Sequence, residues 1–367
     1  MSTVKVVDHP VLAHFLAEIA IPTYDNGRLN LLLGPLLEIW TWEESNKPRD
    51  ANSFKDPNSS QPDSKARIWV SLWDGDSLKL LFTKFATGQS RIASPLPPAQ
   101  FETDVVPHLP TLVSHLLTLP TFSEPATTGP SLLRSLVGPQ PLVLPFLSLW
   151  PHEFSPTPGL DIRACSLLTP PPLSSTILPN RHSLTLLKDI SNLSSSDLDH
   201  VAELWRGFIS QPPLSSNITL EQARERVKNQ NATMWLYRAP ANDDESSEPI
   251  PIGFCNLGRP TPRTVAIRGV MVSPLHRGKG IAERMVSLIS RTYLIDANPL
   301  DYDLSFAKGS TVPEPDPETV YGRKEEVCLF VGVEIEVAQR LYKRCGFDES
   351  EDRWGDFHLV GVEPGSW

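Results

Sequence analysis

The sequence predicts an α/β (α+β) chain of two domains, each a mixed central sheet flanked by helices. Three observations carry this. A chain of 367 residues is long for one core and ordinary for two. Residues 184–362 read as strand, two helices, three strands, helix, strand, helix, strand. The first half reads as two helices, a hairpin and a further helix, the layered pattern of an α/β domain.

The first helix carries Val11, Leu12, Phe15, Leu16 and Ile19 on one face, and a densely apolar helix follows over 29–40. Strands over 67–73 and 78–82 flank Asp74-Gly75, a pair that favours the primed hairpin turns. A third helix carries Leu109, Leu112, Val113, Leu116 and Leu117. Residues 44–65 are polar and rich in Asn, Asp, Ser, Pro and Lys, and read as a mobile loop. Proline, at 37 residues about twice the usual ~5%, marks the joints. The densest run places a Pro-rich linker at 156–183, between an N-terminal domain, 1–155, and a second domain, 184–367.

In the second half, Leu184–Leu187 is a strand. Ser194 stands three residues before Asp197 as a helix entry, and Thr219-Leu-Glu-Gln222 is a capping box. Strands follow over 233–238, 252–257 and 265–272, then a helix from Ile281 with Met285, Leu288, Ile289 and Tyr293 on one face. A polar excursion, 296–326, leads to the apolar run 327–333, a helix from Glu336 that stops at Gly346, and a last strand. The excursion reads either as an insertion without fixed order or as a lid whose Asp301, Asp303, Glu314, Asp316 and Glu318 attract a cation.

Composition excludes several functions. The net charge of −10 argues against general nucleic-acid binding. Asp8, His9, His14 and Glu18 interrupt any leader-like apolar core, and the most apolar stretch, 142–150, is short and broken by Pro145. The four cysteines, Cys165, Cys255, Cys328 and Cys345, form no C-x-x-C pair, so neither a zinc site nor a disulfide framework is expected. A soluble, cytoplasmic protein without metal or membrane partner is the expectation. Ser131 lies in Gly129-Pro-Ser-Leu-Leu133, which lacks the second glycine of a hydrolase elbow.

Chemistry concentrates in two segments. Between strand and helix, Ser273-Pro-Leu-His-Arg277-Gly278-Lys279-Gly280-Ile281-Ala282 combines small residues with two basic ones at the positive end of a helix, a place to hold an anion. The alternative reading is a tight turn. It is neither a P-loop nor a dinucleotide fingerprint. The second segment is Ala338-Gln-Arg-Leu341-Tyr342-Lys-Arg-Cys-Gly346-Phe347. Tyr342 reads either as a core tyrosine or as a general acid near a leaving group.

Together these segments resemble the GNAT superfamily of N-acetyltransferases. R277-G-K-G280-I-A282 is similar to that family's acyl-CoA-binding motif, and the L-Y-x-x-x-G-F ending at Phe347 is similar to its second motif. The first half, through L29-N-L-L-L-G34, W69-V-S-L-W-D-G-D and G129-P-S131, resembles the degenerate N-terminal half of tandem GNAT proteins, without a cofactor loop of its own.

The resemblance implies an acyltransferase that moves an acetyl group from acetyl-CoA to a small-molecule or peptide amine by direct attack in a ternary complex. It implies a strand splayed from its neighbour, with the backbone of Val270, Met271 and Val272 pairing with the pantetheine arm. N–H groups from Gly278 to Ala282 would hold the pyrophosphate, with Arg277 and Lys279 offsetting its charge. An N–H near Met271 would polarise the thioester carbonyl, and Tyr342 would protonate the leaving thiolate. The family's second motif often carries Asn where this chain has Ile335, which removes one polar contact. Glu334 and Glu336 qualify as a base by position only. The alternative function is a non-catalytic acyl-CoA-binding or scaffold protein.

Overall fold

Gly75 takes a left-handed φ of 58°, the backbone a tight hairpin turn demands, and it joins β2 (Ile68–Asp74) to β3 (Ser77–Lys84). Around this hairpin the computed structural model builds the first of two compact units. It describes residues 3–19, 26–45, 67–85, 89–123, 133–187, 193–211, 216–228, 234–241, 247–294 and 323–361. The loop read at 44–65, the Gly129–Ser131 likeness and the acidic excursion of 296–326 lie wholly or almost wholly outside the described residues.

The first unit takes Met1–Asp25, Leu31–Ala164 and Ser350–Trp367. Its sheet runs β1 (Val4–Asp8), β2, β3, β4 (Ser90–Ala93), β5 (Ser135–Pro139), with three antiparallel pairings and then a parallel one. Helices α1 (Leu12–Glu18), α2 (Asn30–Ser45), α3 (Leu109–Thr118) and α4 (Gln140–Leu149) flank it. In one core layer Phe82 stacks on Phe146 at 5.9 Å, and Phe146 on Trp150 at 5.4 Å. Truncating Phe146, which is fully buried, removes both stacks at a cost of about 3–5 kcal/mol.

The second unit takes Asn26–Asn30 and Cys165–Glu349. Its sheet repeats the same logic: β7 (Ser183–Leu187), β8 (Met234–Pro240), β9 (Pro249–Gly258), β10 (Thr264–Val272) and β11 (Glu326–Gly332) pair antiparallel three times and then parallel. Helices α5 (Ser195–Ile209) and α6 (Leu220–Lys228) cover one face through Val201, Leu204, Val227, Phe254 and Met271. Helices α7 (Ile281–Tyr293) and α8 (Glu336–Arg344) cover the other through Met285, Ile289, Leu341, Val265 and Ile267. Both expected helix entries form. Ser194 Oγ accepts from the Asp197 N–H at 3.0 Å, and Thr219 and Gln222 exchange side-chain to backbone bonds of 2.9 and 3.2 Å.

The units therefore share one order, strand, two helices, three strands, helix, strand, helix, strand, and the fold class is α/β with two domains of like topology. The division between them falls within the 156–183 stretch that the prolines mark, but the start of that stretch is strand rather than linker. A single strand, β6 (Phe154–Leu167), runs through Pro156 and Pro158. Prolines two residues apart remove N–H donors from one edge of a strand only, so the other edge still pairs. The division falls inside β6, after Ala164.

A second departure concerns the chain's last strand, β12 (Asp348–Leu359), expected to close the second domain. From Ser350 onward it belongs to the first unit, antiparallel to β5 with Trp354 opposite Pro139 and His358 opposite Ser135. The end of β6, meanwhile, belongs to the second unit, where Ser166 Oγ donates to Glu326 at the head of β11. Glu326 also accepts from the Gly27 N–H at 2.8 Å, and Asn30 Nδ2 donates to Arg259 O and Thr264 Oγ1 at 2.6 and 2.8 Å. These bonds explain why residues 26–30 belong with β10 and β11. No helix among the described residues is long and apolar enough to cross a membrane.

Candidate functional site

The site begins with a change of parity in β10. Val265 and Ile267 face α7, and an unbroken alternation would send Gly269 and Met271 the same way. The register against β9 slips between Ile267 and Gly269, so one extra residue, the exposed Arg268, is accommodated as a bulge. Beyond it Val270 and Val272 face α7, while Gly269 and Met271 face α5. A Cβ on Gly269 would stand 2.8 Å from Phe208 Cζ, which only glycine avoids there. An isolated glycine inside a strand pattern is the sequence signal for such a bulge.

The bulge also coincides with a parting of strands. The parallel ladder of β10 with β11 runs from Thr264–Glu326 to Ile267–Leu329 and ends there, although both strands continue. Residues 268–272 therefore keep β9 on one side and present their other edge to a slot. The Ser273 N–H donates to Ile252 O of the β9 side at 2.8 Å. By two-residue alternation the Met271 N–H points the same way, toward β9. The open edge is thus formed by the backbone of Val270 and Val272. An N–H donor near Met271 is expected from the sequence, and on this edge the N–H groups of Val270 and Val272 are the ones that face the slot.

At the far end of the slot the chain makes a short helical turn, Pro274–His276, and then Arg277-Gly278-Lys279-Gly280. Gly278 and Gly280 adopt φ of 78° and 72°, the left-handed region that costs other residues about 1–2 kcal/mol. Gly280 is the N-cap of α7 and no side chain caps the helix. The first ladder bond is Arg284 N–H to Gly280 O at 3.1 Å, so the N–H groups of Ile281, Ala282 and Glu283 precede it. Ile281 is buried in the core beneath and offers the loop only its backbone. A Cβ at Gly278 would meet nothing within 4 Å, so the concavity is open. Open N–H groups, left-handed glycines and basic neighbours fit a pyrophosphate.

Arg277 itself turns back. Its Nε donates to Val272 O at 3.2 Å and its Nη2 lies 3.8 Å from Met271 Sδ. Arg284, absent from the sequence expectations, donates from Nη1 to Lys279 O at 2.7 Å and lies over Gly280.

Tyr342 enters from α8, and the L-Y-x-x-x-G-F spacing has a geometric cause. Gly346, at φ 91°, follows the helix end. Its N–H donates to Lys343 O at 3.1 Å, and the Phe347 N–H donates to Tyr342 O at 3.0 Å. That pair of bonds is a Schellman cap, which brings the residue after the glycine onto the third residue from the helix end. Accordingly the Phe347 ring meets the Tyr342 ring edge-on at 5.9 Å. The phenol is half-buried against the core that includes Val265 and Met285. Burial, helped by the thiols of Cys255, Cys165 and Cys345, holds its pKa well above the ordinary tyrosine value. It stays protonated at neutral pH. Glu334 and Glu336 are exposed, and Glu336 pairs with Arg340 at 3.3 Å.

In the first unit the equivalent slot is closed. A Cβ on Gly138 of β5 would collide with the Ile92 carbonyl of β4, so those strands stay together where β10 and β11 part. Its helical entry opens on Pro97 and Pro98, which have no N–H to offer an anion.

Residues 199–293 match the family model described as Acetyltransferase (GNAT) family. No curated protein matches the chain. Among solved structures it is similar to a tandem GNAT protein from the clavulanic acid biosynthesis pathway, at 12% identity over 98% of this chain and 100% of that one, TM-score 0.43. It is also similar to a GCN5-related N-acetyltransferase from Sphaerobacter thermophilus, at 15% identity over 98% and 97%, TM-score 0.44. A Drosophila protein gives 11% identity over 98% and 99%, TM-score 0.47. The family match covers the bulged strand, the glycine turn and α7, and over residues 199–293 the chain is similar to the acetyltransferase (GNAT) family.

Proposed function

We propose that the second unit is an N-acetyltransferase that passes the acetyl group of acetyl-CoA to an amine by direct attack in a ternary complex. The observation that carries this reading is the edge of Val270 and Val272, left free where β10 parts from β11 and ending at the Gly280-capped helix. An extended amide chain can pair with that edge as an added strand, and a phosphate at its end reaches the N–H groups of Ile281 and Ala282. Acetyl-CoA supplies the acyl group already activated as a thioester.

In this reading the N–H of Val270 or Val272 polarises the carbonyl held in the slot. A C–N bond forms as the C–S bond breaks, the amine gives up its proton to water or a carboxylate, and Tyr342 donates one to the sulfur. Tyr342 is a reluctant acid. Its raised pKa lies above the ~8.5 of a thiol, so full transfer runs uphill and the phenol acts best by hydrogen bonding to the sulfur as charge develops. The acceptor is a small-molecule or peptide amine, and the first unit, with its slot closed, serves as a non-catalytic companion.

Calorimetric titration of CoA-free protein with acetyl-CoA tests the reading. One-site binding that Gly280→Glu abolishes is the expected result. No binding by folded wild-type protein overturns it and leaves a scaffold.

A further inference from the structure

The parting of β10 and β11 creates a debt at the end of β11. Its last carbonyls have lost the neighbouring strand, and a buried or half-buried C=O without a partner is costly. In the second unit a single side chain answers for two of them. Gln339 Nε2 lies 3.0 Å from Gly332 O and 2.9 Å from Val333 O. Both neighbours are acceptors, so the atom between them must be the nitrogen of the carboxamide. Gly332 O is further held by the Ile335 N–H at 3.0 Å, and the Ile335 side chain packs where a Cβ on Gly332 would stand.

Gln339 sits one helical turn after Ile335, the position where the sequence lacks an amide, and one turn before Tyr342. It thus ties the diverging end of β11 to the helix that carries Tyr342.

Resting on the acetyltransferase reading, we propose that Gln339 is a positioning residue, whose carboxamide holds β11 away from β10 and sets α8 in register over the slot. Both bonds come from one carboxamide on α8, so Gly332 and Val333 cannot move back toward β10 without dragging α8 along or breaking the brace. The brace keeps the slot formed before any ligand arrives, and the cofactor meets a preorganised edge.

The test uses full-length Gln339→Leu and Gln339→Glu. Leucine removes the donor at similar size. An ionised glutamate turns an acceptor toward two acceptors, and its protonated form regains one donor. The acetyl-CoA dissociation constant should rise about tenfold in Gln339→Leu. Gln339→Glu should bind weakly at about pH 8 and recover part of its affinity at about pH 4, where a carboxyl of ordinary pKa ~4.3 is largely protonated. A role in stability alone would lower the melting temperature of both variants and leave wild-type affinity in the folded protein at both pH values, which overturns the proposal.

Hydrogen exchange without ligand separates this idea from the function it rests on. Faster exchange over residues 329–333 and 338–342 in Gln339→Leu supports the brace even if wild-type protein proves not to bind acetyl-CoA. Unchanged exchange together with unchanged affinity overturns it.

Discussion

Arg277 Nε donates to the carbonyl of Val272 at 3.2 Å, so the first basic residue of the glycine turn closes on the last carbonyl of the open edge. A ligand that pairs with Val272 O competes with it for that carbonyl or shares it. Arg277→Ala is therefore expected to weaken acetyl-CoA binding by less than about tenfold, since losing one exposed cation is partly offset by a freed acceptor. Calorimetry at two salt concentrations checks this; a loss beyond a hundredfold would make Arg277 a principal phosphate ligand.

The two glycines of the turn should respond differently. At Gly278 an added methyl meets no atom, so Gly278→Ala should cost about 1–2 kcal/mol of backbone strain and keep acetyl-CoA binding. At Gly280 a glutamate brings strain and a negative charge to the helix N-terminus, and binding should disappear. Melting curves with and without acetyl-CoA distinguish the two.

Tyr342→Phe should leave the acetyl-CoA dissociation constant within about twofold and lower kcat by roughly tenfold to a hundredfold. The ring packing against Phe347 survives the change, so a large drop in stability is not expected. Equal loss in affinity and turnover would show that the hydroxyl only maintains structure.

One acetyl-CoA should bind per chain. The first unit closes its slot at Gly138 and Ile92 and begins the following helical stretch with prolines. A calorimetric stoichiometry of two would contradict that closure.

The two units should answer alkali in opposite senses. Burial, with Arg134 adding to it, lowers Lys84 of the first unit to about 7. Between about pH 7 and the ordinary lysine value of ~10.4 the unfolded chain binds the extra proton, so that unit gains stability as pH rises. Burial raises Tyr237 and Tyr293 of the second unit to about 12. From the ordinary ~10 up to that value the unfolded chain loses protons first, and this unit loses stability. Denaturant melts followed across that range, with phenolate absorbance reporting the tyrosines, read both effects.

Much of this architecture is legible in the residues. Asp74-Gly75, the Thr219–Gln222 box and the Gly346 stop each encode a local geometry, and each forms. The glycine turn is legible for the same reason, since left-handed backbone selects glycine. Partnering across the chain is another matter. Nothing local says that β12 pairs with β5, because a strand's pattern specifies a buried face and not the neighbour beside it. Pro156 and Pro158 mislead because proline forbids donors on one edge and a strand needs only the other. The parity switch at Arg268 had its signal in Gly269, whereas Gln339 had none: its role exists only once β11 has left β10.

The placement of β12 has a consequence for synthesis on the ribosome. The first unit cannot complete its sheet when its own N-terminal stretch emerges, because the strand that covers β5 follows only after the whole span from Ala164 to Ser350. At about 5–20 residues per second, the span from Ala164 to Ser350 keeps that edge waiting for roughly 10–40 s. During this interval β5 presents unpaired backbone to any other nascent chain. Chains that terminate anywhere before Ser350 would therefore lack part of the unit made first, and should aggregate through it.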